Sequence, residues 1–179
     1  SFPTRRSSDL SNLAALSSRF RGHRFSVFFY NPNIDTEMEY QKRKIELVNY
    51  CQKMGVEFFD GDYDHNNWLK SVVGLEHLPE RSARCSICFD QRLLISGRFA
   101  KDHGFDCFAT TLSISRFKDM TQVYASGERA SAMSGIRFFS INWRKDGGME
   151  LMSQVAMREK FYRQKYCGCE YSRREHPAK

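Results

Sequence analysis

The chain has 179 residues, 41% of them hydrophobic, with 15 Phe and 8 Tyr, enough to bury one sizeable core and too aromatic for a disordered chain. No apolar run approaches the roughly 20 residues of a membrane span, and no charged-then-apolar leader is visible, so neither a helical membrane protein nor a secreted one is expected. A formal net charge of +7 favours an acidic partner, nucleic acid foremost, with a membrane surface or solubility alone as other readings; six cysteines, four of them in close pairs, point to metal or redox chemistry in a reducing, cytoplasmic compartment.

Ser1 to Asp9 is polar and leads into no periodic pattern; it reads as a non-native leader, with residues 10–179 as a single domain. Leu10, Leu13, Ala14, Leu16 and Phe20 carry the spacing of a helix. Phe25 to Tyr30 is a strand that exits through Asn31-Pro32-Asn33. Thr36-Glu37-Met38-Glu39 reads as a capping box opening a helix that runs to Gly55, and Val56 to Phe59 as the next strand. An acidic exit, Asp60 to Asp64, leads to a short helix around Trp68 that ends at Gly74. The spacing of Leu93, Leu94, Phe99 and Ala100 predicts a helix from Cys88 to His103, stopped by Gly104. Asp106 to Thr110 is a third strand, Asp119 to Ser126 a helix stopped at Gly127, Arg137 to Ile141 a fourth strand and Met149 to Tyr162 a last helix. Strands alternating with helices, each strand exit rich in Asn, Asp, Thr or Ser, predict an α/β fold. The expected form is a parallel doubly wound sheet with flanking helices and a site at the carboxyl ends of the strands.

Two thiol pairs carry the chemistry. Cys85 and Cys88 stand in Arg84-Cys85-Ser86-Ile87-Cys88-Phe89, where a loop turns into a helix, and the helix N-terminus together with Arg84 favours their thiolates. The pair is half of a four-ligand zinc or iron-sulfur site; a thioredoxin-like dithiol, or two plain cysteines at a helix start, are the other readings. Cys167 and Cys169, one residue apart, suit a small strained disulfide better than a chelate, with free thiols as the alternative. Cys51 and Cys107 fall at apolar positions and read as buried small side chains. Basic residues are densest late, at Arg158, Lys160, Arg163, Lys165, Arg173 and Arg174, flanking the second pair as a polyanionic substrate would require. No glycine-rich phosphate loop is present. Asp60, Asp62 and Asp64 lack the glycine and terminal glutamate of a calcium loop, and His65 and His77 read as loop residues.

The motifs occur in a distinctive order: Phe29-Tyr30-Asn31-Pro32-Asn33-Ile34 with Glu39-Tyr40 and Arg43, Asp62-Tyr63-Asp64 with Trp68, Gly74-Leu75-Glu76 and Pro79-Glu80. Then follow Arg84 to Phe89 with Arg92-Leu93, Thr110-Thr111-Leu112-Ser113 with Lys118, Tyr162-Arg163-Gln164, and Tyr166-Cys167-Gly168-Cys169-Glu170-Tyr171-Ser172. In that order and spacing, over residues 25–172, the chain resembles the QueH family of epoxyqueuosine reductases. The resemblance implies a nucleotide alpha hydrolase-like (HUP-like) fold, its first strand lost here, and an iron-sulfur oxidoreductase. Such an enzyme removes the epoxide oxygen of epoxyqueuosine at the tRNA wobble position, the last step of queuosine synthesis. It further implies that Cys85 and Cys88 are two ligands of a [4Fe-4S] cluster, with an additional iron as an option, and that Cys167 and Cys169 form a redox-active disulfide. Arg84, Lys118, Arg163, Lys165 and Tyr166 would meet the substrate or the anticodon loop, and electrons would come from a donor the sequence does not identify. The family's other two cluster ligands come from a Cys-Cys-x-x-(Cys or Asp) loop, and Thr4 to Asp9, where it is expected, contains no cysteine. Ser115-Arg116-Phe117-Lys118 and Asn142-Trp143 also depart from the family's usual Pro-Tyr and Asp-Phe. If the amino terminus is native, this chain holds half a cluster site and is expected to be inactive; a non-catalytic zinc-binding or RNA-binding module is the alternative reading.

Overall fold

The computed structural model describes residues 23–145, 147–162 and 164–175. The proposed leader and the helix read at Leu10 to Phe20 lie outside these residues.

The first strand, β1 (Ser26–Phe29), is followed by helix α1 (Glu37–Met54) and strand β2 (Glu57–Asp60). The strands pair in parallel, with Ser26 opposite Glu57 and Phe29 opposite Asp60, so α1 is the crossover of a β-α-β unit. One face of α1 buries Tyr40, Arg43, Leu47, Tyr50 and Cys51. Gly55, at φ 64°, ends the helix in the left-handed conformation that glycine adopts without steric cost. Thr36 caps the other end through its backbone only, with no side-chain bond. The reciprocal capping box is therefore not formed: Glu39 turns forward to the Arg43 guanidinium at 2.8 Å instead of back to Thr36.

A short helix, α2 (His65–Ser71), is capped by Asp64, whose carboxylate accepts from the Asn67 amide at 3.0 Å. Helix α3 (Ala83–Asp102) begins five residues before the position read from its apolar spacing, so the C-x-x-C motif lies inside its first two turns. The second parallel pair joins β3 (Cys107–Phe108) to β4 (Arg137–Phe138), with helix α4 (Met120–Ser134) as the crossover. Each of these strands is two residues long, against the five read from composition. The expected parallel sheet is thus present, among the described residues, as two separate two-stranded pairs.

Aromatic rings tie the first pair to α3. Phe28 of β1 stacks on Phe99 of α3 at 4.1 Å, and Phe59 of β2 meets Phe99 edge-on at 5.0 Å. The second pair packs Phe108 and Phe138 against Leu93, Ala100 and Ala130 of α3 and α4. Helix α4 runs through Gly127 rather than stopping there, because Gly127 makes room for a neighbouring ring. A Cβ at that position would lie 2.2 Å from Phe138 Cε1. Helix α5 (Gly148–Arg158) ends four residues short of Tyr162, and a last helix, α6 (Glu170–Glu175), follows the second thiol pair.

Gly127→Ala should therefore overpack the α4–β4 contact and destabilise the protein by about 1–3 kcal/mol. The measurement is denaturant unfolding, and Gly127→Ala combined with Phe138→Leu should recover part of the loss.

Candidate active site

Cys85 and Cys88 both face the interior from the start of α3. Cys85 packs with Phe89 and Val123, and Cys88 with Trp68, Val72, Cys169 and Tyr171. The second pair sits on the loop entering α6, and that loop is fastened at nearly every residue. Arg43 Nη1 donates to the Cys167 carbonyl at 3.1 Å, the Asp35 amide donates to the Gly168 carbonyl at 2.9 Å, and the Tyr166 hydroxyl donates to the Asp35 carbonyl at 2.7 Å. The Cys167 amide donates to Ser172 Oγ at 3.0 Å, and the Ser172 hydroxyl in turn donates to the Glu80 carboxylate. Gly168 is required for this path: at φ 126° it occupies backbone space that side chains disfavour, and a Cβ would stand 3.0 Å from Ile34 Cγ1.

Cations decide the chemistry of the loop. Lys118 Nζ, buried on the segment before α4, lies 2.6 Å from Cys167 Sγ. Arg84, 1% exposed, points Nη1 at Cys169 Sγ at 3.4 Å, and the Ser172 amide donates to the same sulfur at 3.4 Å. Arg84 is itself charge-paired with Glu175 at 3.1 Å and lies over the Tyr171 ring. The hydrogen bond from Cys169 holds the Cys167 thiol well below the usual range, against burial and with the Lys118 ammonium assisting. Conversely, that shared proton and burial push the Cys169 thiol up. Burial pulls Lys118 down, but the Cys167 and Glu80 charges outweigh it and leave its ammonium favoured. One proton and one ammonium are thus distributed so that the thiolate is favoured on Cys167 and disfavoured on Cys169.

This corrects the expectation that Arg84 and the helix N-terminus prime Cys85 and Cys88. Burial dominates both and pushes their thiols up, while Arg84 is committed to Cys169. Arg84 and Lys118, expected from the resemblance to meet the substrate or the anticodon loop, lie beside the sulfurs of Cys169 and Cys167. Lys165 is exposed, and Tyr166 is half-buried with its hydroxyl bonded and the Arg43 guanidinium 5.4 Å from its ring centre. Arg163 lies outside the described residues.

All six cysteines are free thiols. Cys51 is fully buried, as expected, with burial pushing its thiol up to about 11, whereas Cys107 is half-exposed. His65 opens α2 and contacts the Pro32 carbonyl at 2.7 Å. Cys85 and Cys88 are two soft donors of the kind a cluster uses, but among the described residues no group of three or more His, Cys, Asp or Glu side chains is placed to hold a metal. The donors present therefore do not by themselves fit a four-ligand cluster.

Arg43, Glu80 and Ser172 were not among the residues picked from the sequence for the site. All three stand in the recurring motifs, yet nothing local marks an arginine in the fourth residue pair of a helix as the clamp of a loop 124 positions away.

A family model described as Epoxyqueuosine reductase QueH matches residues 9–175. The Haemophilus influenzae protein named Epoxyqueuosine reductase QueH is 44% identical over 155 residues, 86% of this chain and 63% of that protein. The proteins of the same name from Histophilus somni and Acinetobacter baylyi are 43% and 42% identical, over 84% and 87% of this chain and 63% and 72% of their own lengths. The chain thus spans 63% of the length of the first two of these relatives. With the matched residues reaching from before β1 through α6, and so taking in both thiol pairs and the cations on them, the chain belongs to the epoxyqueuosine reductase QueH family.

Proposed function

We propose that this protein reduces epoxyqueuosine at the tRNA wobble position to queuosine, in the cytoplasm, with Cys167 and Cys169 as its redox pair. The observation that carries the reading is the pairing of Lys118 with Cys167 and Arg84 with Cys169, which gives two neighbouring thiols different partners and shifts them in opposite directions inside one buried site. The electron count agrees: removing an epoxide oxygen as water takes two electrons and two protons, and a thiolate and a thiol closing to a disulfide release two electrons and one proton, with the Lys118 ammonium beside Cys167 as a source for the second. Cys85 and Cys88 would be two of the four ligands of a [4Fe-4S] cluster, with an additional iron as an option, and the two β-α-β units would belong to a doubly wound, nucleotide alpha hydrolase-like sheet. A zinc-binding or RNA-binding module built on Cys85 and Cys88 alone is less favoured, since it leaves the cations on Cys167 and Cys169 without a purpose. The direct test is conversion of epoxyqueuosine-bearing tRNA by the reconstituted protein supplied with a reductant. No queuosine from a protein that holds its cluster would overturn the reading.

Because two thiols are half of a cubane's ligands, the chain reconstituted anaerobically with iron and sulfide should hold far less cluster than a version carrying a Cys-Cys-x-x-Cys loop ahead of β1. Iron and sulfide analysis with visible absorbance measures it; full, stable loading of the unaltered chain would mean that other side chains complete the shell.

The anticodon loop would meet the basic carboxy-terminal stretch, where three of the expected arginines carry acidic partners. Arg158 pairs with Glu159 at 2.9 Å, Arg173 with Asp35 at 2.7 Å and Arg174 with Glu170 at 3.2 Å. A phosphate must compete with those carboxylates, so removing the charge at the exposed Lys160 and Lys165 should flatten the salt dependence of tRNA binding more than removing it at Arg158 and Arg174. Binding isotherms at several salt concentrations report the slopes, and equal effects at all four positions would contradict the pairing argument.

A further inference from the structure

We propose that Cys167 is the sulfur at which an external dithiol delivers electrons to the redox pair, with Cys169 the internal sulfur that leaves and returns. The inference rests on the proposed redox role of this pair and names the chemistry of its electron donor. The two residues are unequal in exposure, and their sulfurs in partners. Cys167 is half-buried, whereas Cys169 is 6% exposed, packed with Trp68, Cys88 and Tyr171. An incoming thiolate therefore reaches Cys167 first.

Lys118 makes Cys167 the better-stabilised thiolate, so exposure and not leaving-group strength sets the direction, and the partners of Cys169 are what let it carry the departing charge. When a donor thiolate attacks Cys167 Sγ, the bond between the two cysteines breaks, a donor–Cys167 mixed disulfide forms, and Cys169 departs with the electron pair. The departing sulfur meets Arg84 Nη1 and the Ser172 amide, each at 3.4 Å, before taking a proton. The donor's second thiol then attacks its own sulfur in the mixed disulfide and releases Cys167 as a thiolate against Lys118 Nζ, 2.6 Å away. The donor ends as a disulfide, and two electrons and one proton have passed to the pair, the donor's second proton going to solvent. The clamp on the loop keeps the sulfurs from exchanging places: Arg43 on the Cys167 carbonyl and Ser172 on the Cys167 amide fix the backbone on either side of that residue's Cα. Lys118 is a positioning residue for the emerging thiolate.

The test uses the full chain with an aromatic disulfide reagent that releases a coloured thiolate, and adducts located by peptide mass. Reduced Cys169→Ser should trap a mixed disulfide on Cys167 at least about tenfold faster than Cys167→Ser traps one on Cys169; the opposite order overturns the proposal. Lys118→Met in the Cys169→Ser background should slow trapping and shift its pH profile upward, and Lys118→Arg should restore part of the rate, which a merely structural side chain would not do. The unmutated protein supplies a control against misfolded variants. Its oxidised pair, treated briefly with dithiothreitol and then alkylated in acid, should carry the dithiol on Cys167 and the alkyl group on Cys169, and the reverse pattern overturns the proposal. Failure of the pair to oxidise at all would instead remove the proposed redox role, while trapping in the two variants still reads the order of the sulfurs.

Discussion

The site is built on one constraint, that a cation taken out of water needs a counter-charge held close. Three cations converge on the Cys167 to Cys169 loop from three different elements, and each has an anion in range. Arg43 of α1 has Glu39 at 2.8 Å, and Arg84 of α3 has Glu175 at 3.1 Å. Lys118, on the segment before α4, has the Cys167 sulfur at 2.6 Å. For the two arginines the counter-charge is a carboxylate that stays charged through any redox step. For Lys118 it is a thiolate, which oxidation to a disulfide would abolish. Oxidation of the proposed redox pair would therefore leave a buried ammonium without its nearest counter-charge, with the nearby Glu80 charge remaining to offset part of the loss.

Much of this was legible in the sequence because it rests on local signals. Alternating strand and helix signals gave the order of elements and the parallel pairing, and Gly55 marked the end of α1 through the backbone conformation only glycine adopts freely. The two thiol pairs announced themselves by spacing. Where local signals competed with distant partners, the distant partners prevailed. Glu39 has the position of a capping-box residue, but a partly buried guanidinium one turn ahead is the stronger attractor. Gly127 has the look of a helix stop, yet its lack of a Cβ serves the ring of Phe138 from another strand. Arg84 adjoins Cys85 in sequence and still serves Cys169, because successive residues on a helix point about 100° apart.

Neither could the sequence have assigned protonation states. A C-x-x-C at a helix start carries a general expectation of stabilised thiolates, and here the desolvation of both sulfurs is the largest effect and pushes both thiols up against the nearby Lys118 and Arg92 charges. The low-lying thiol is the one whose neighbours come from residues 118 and 169, and only the tertiary structure brings those together.

The same reasoning explains how two expected departures from the family pattern, at residues 115–118 and 142–143, are accommodated. Asn142-Trp143 stands where Asp-Phe is usual, at the exit of β4. Trp143 is buried, so the added indole N–H would be costly without a partner, and it donates to the Thr110 carbonyl at the exit of β3 at 2.8 Å. Asn142 keeps the acceptor an aspartate would offer, taking the Arg144 amide on Oδ1 at 3.1 Å. Arg144 then reaches the Ser115 carbonyl and, at 3.0 Å, the Lys118 carbonyl, while Arg81 holds the Phe117 and Arg116 carbonyls from the other side at 3.1 Å each. The segment that replaces the usual Pro-Tyr is therefore fixed by two guanidinium groups rather than by proline's restricted backbone. The position of the Lys118 ammonium beside Cys167 is held by hydrogen bonds that use only main-chain acceptors and so tolerate changes in the side chains between them.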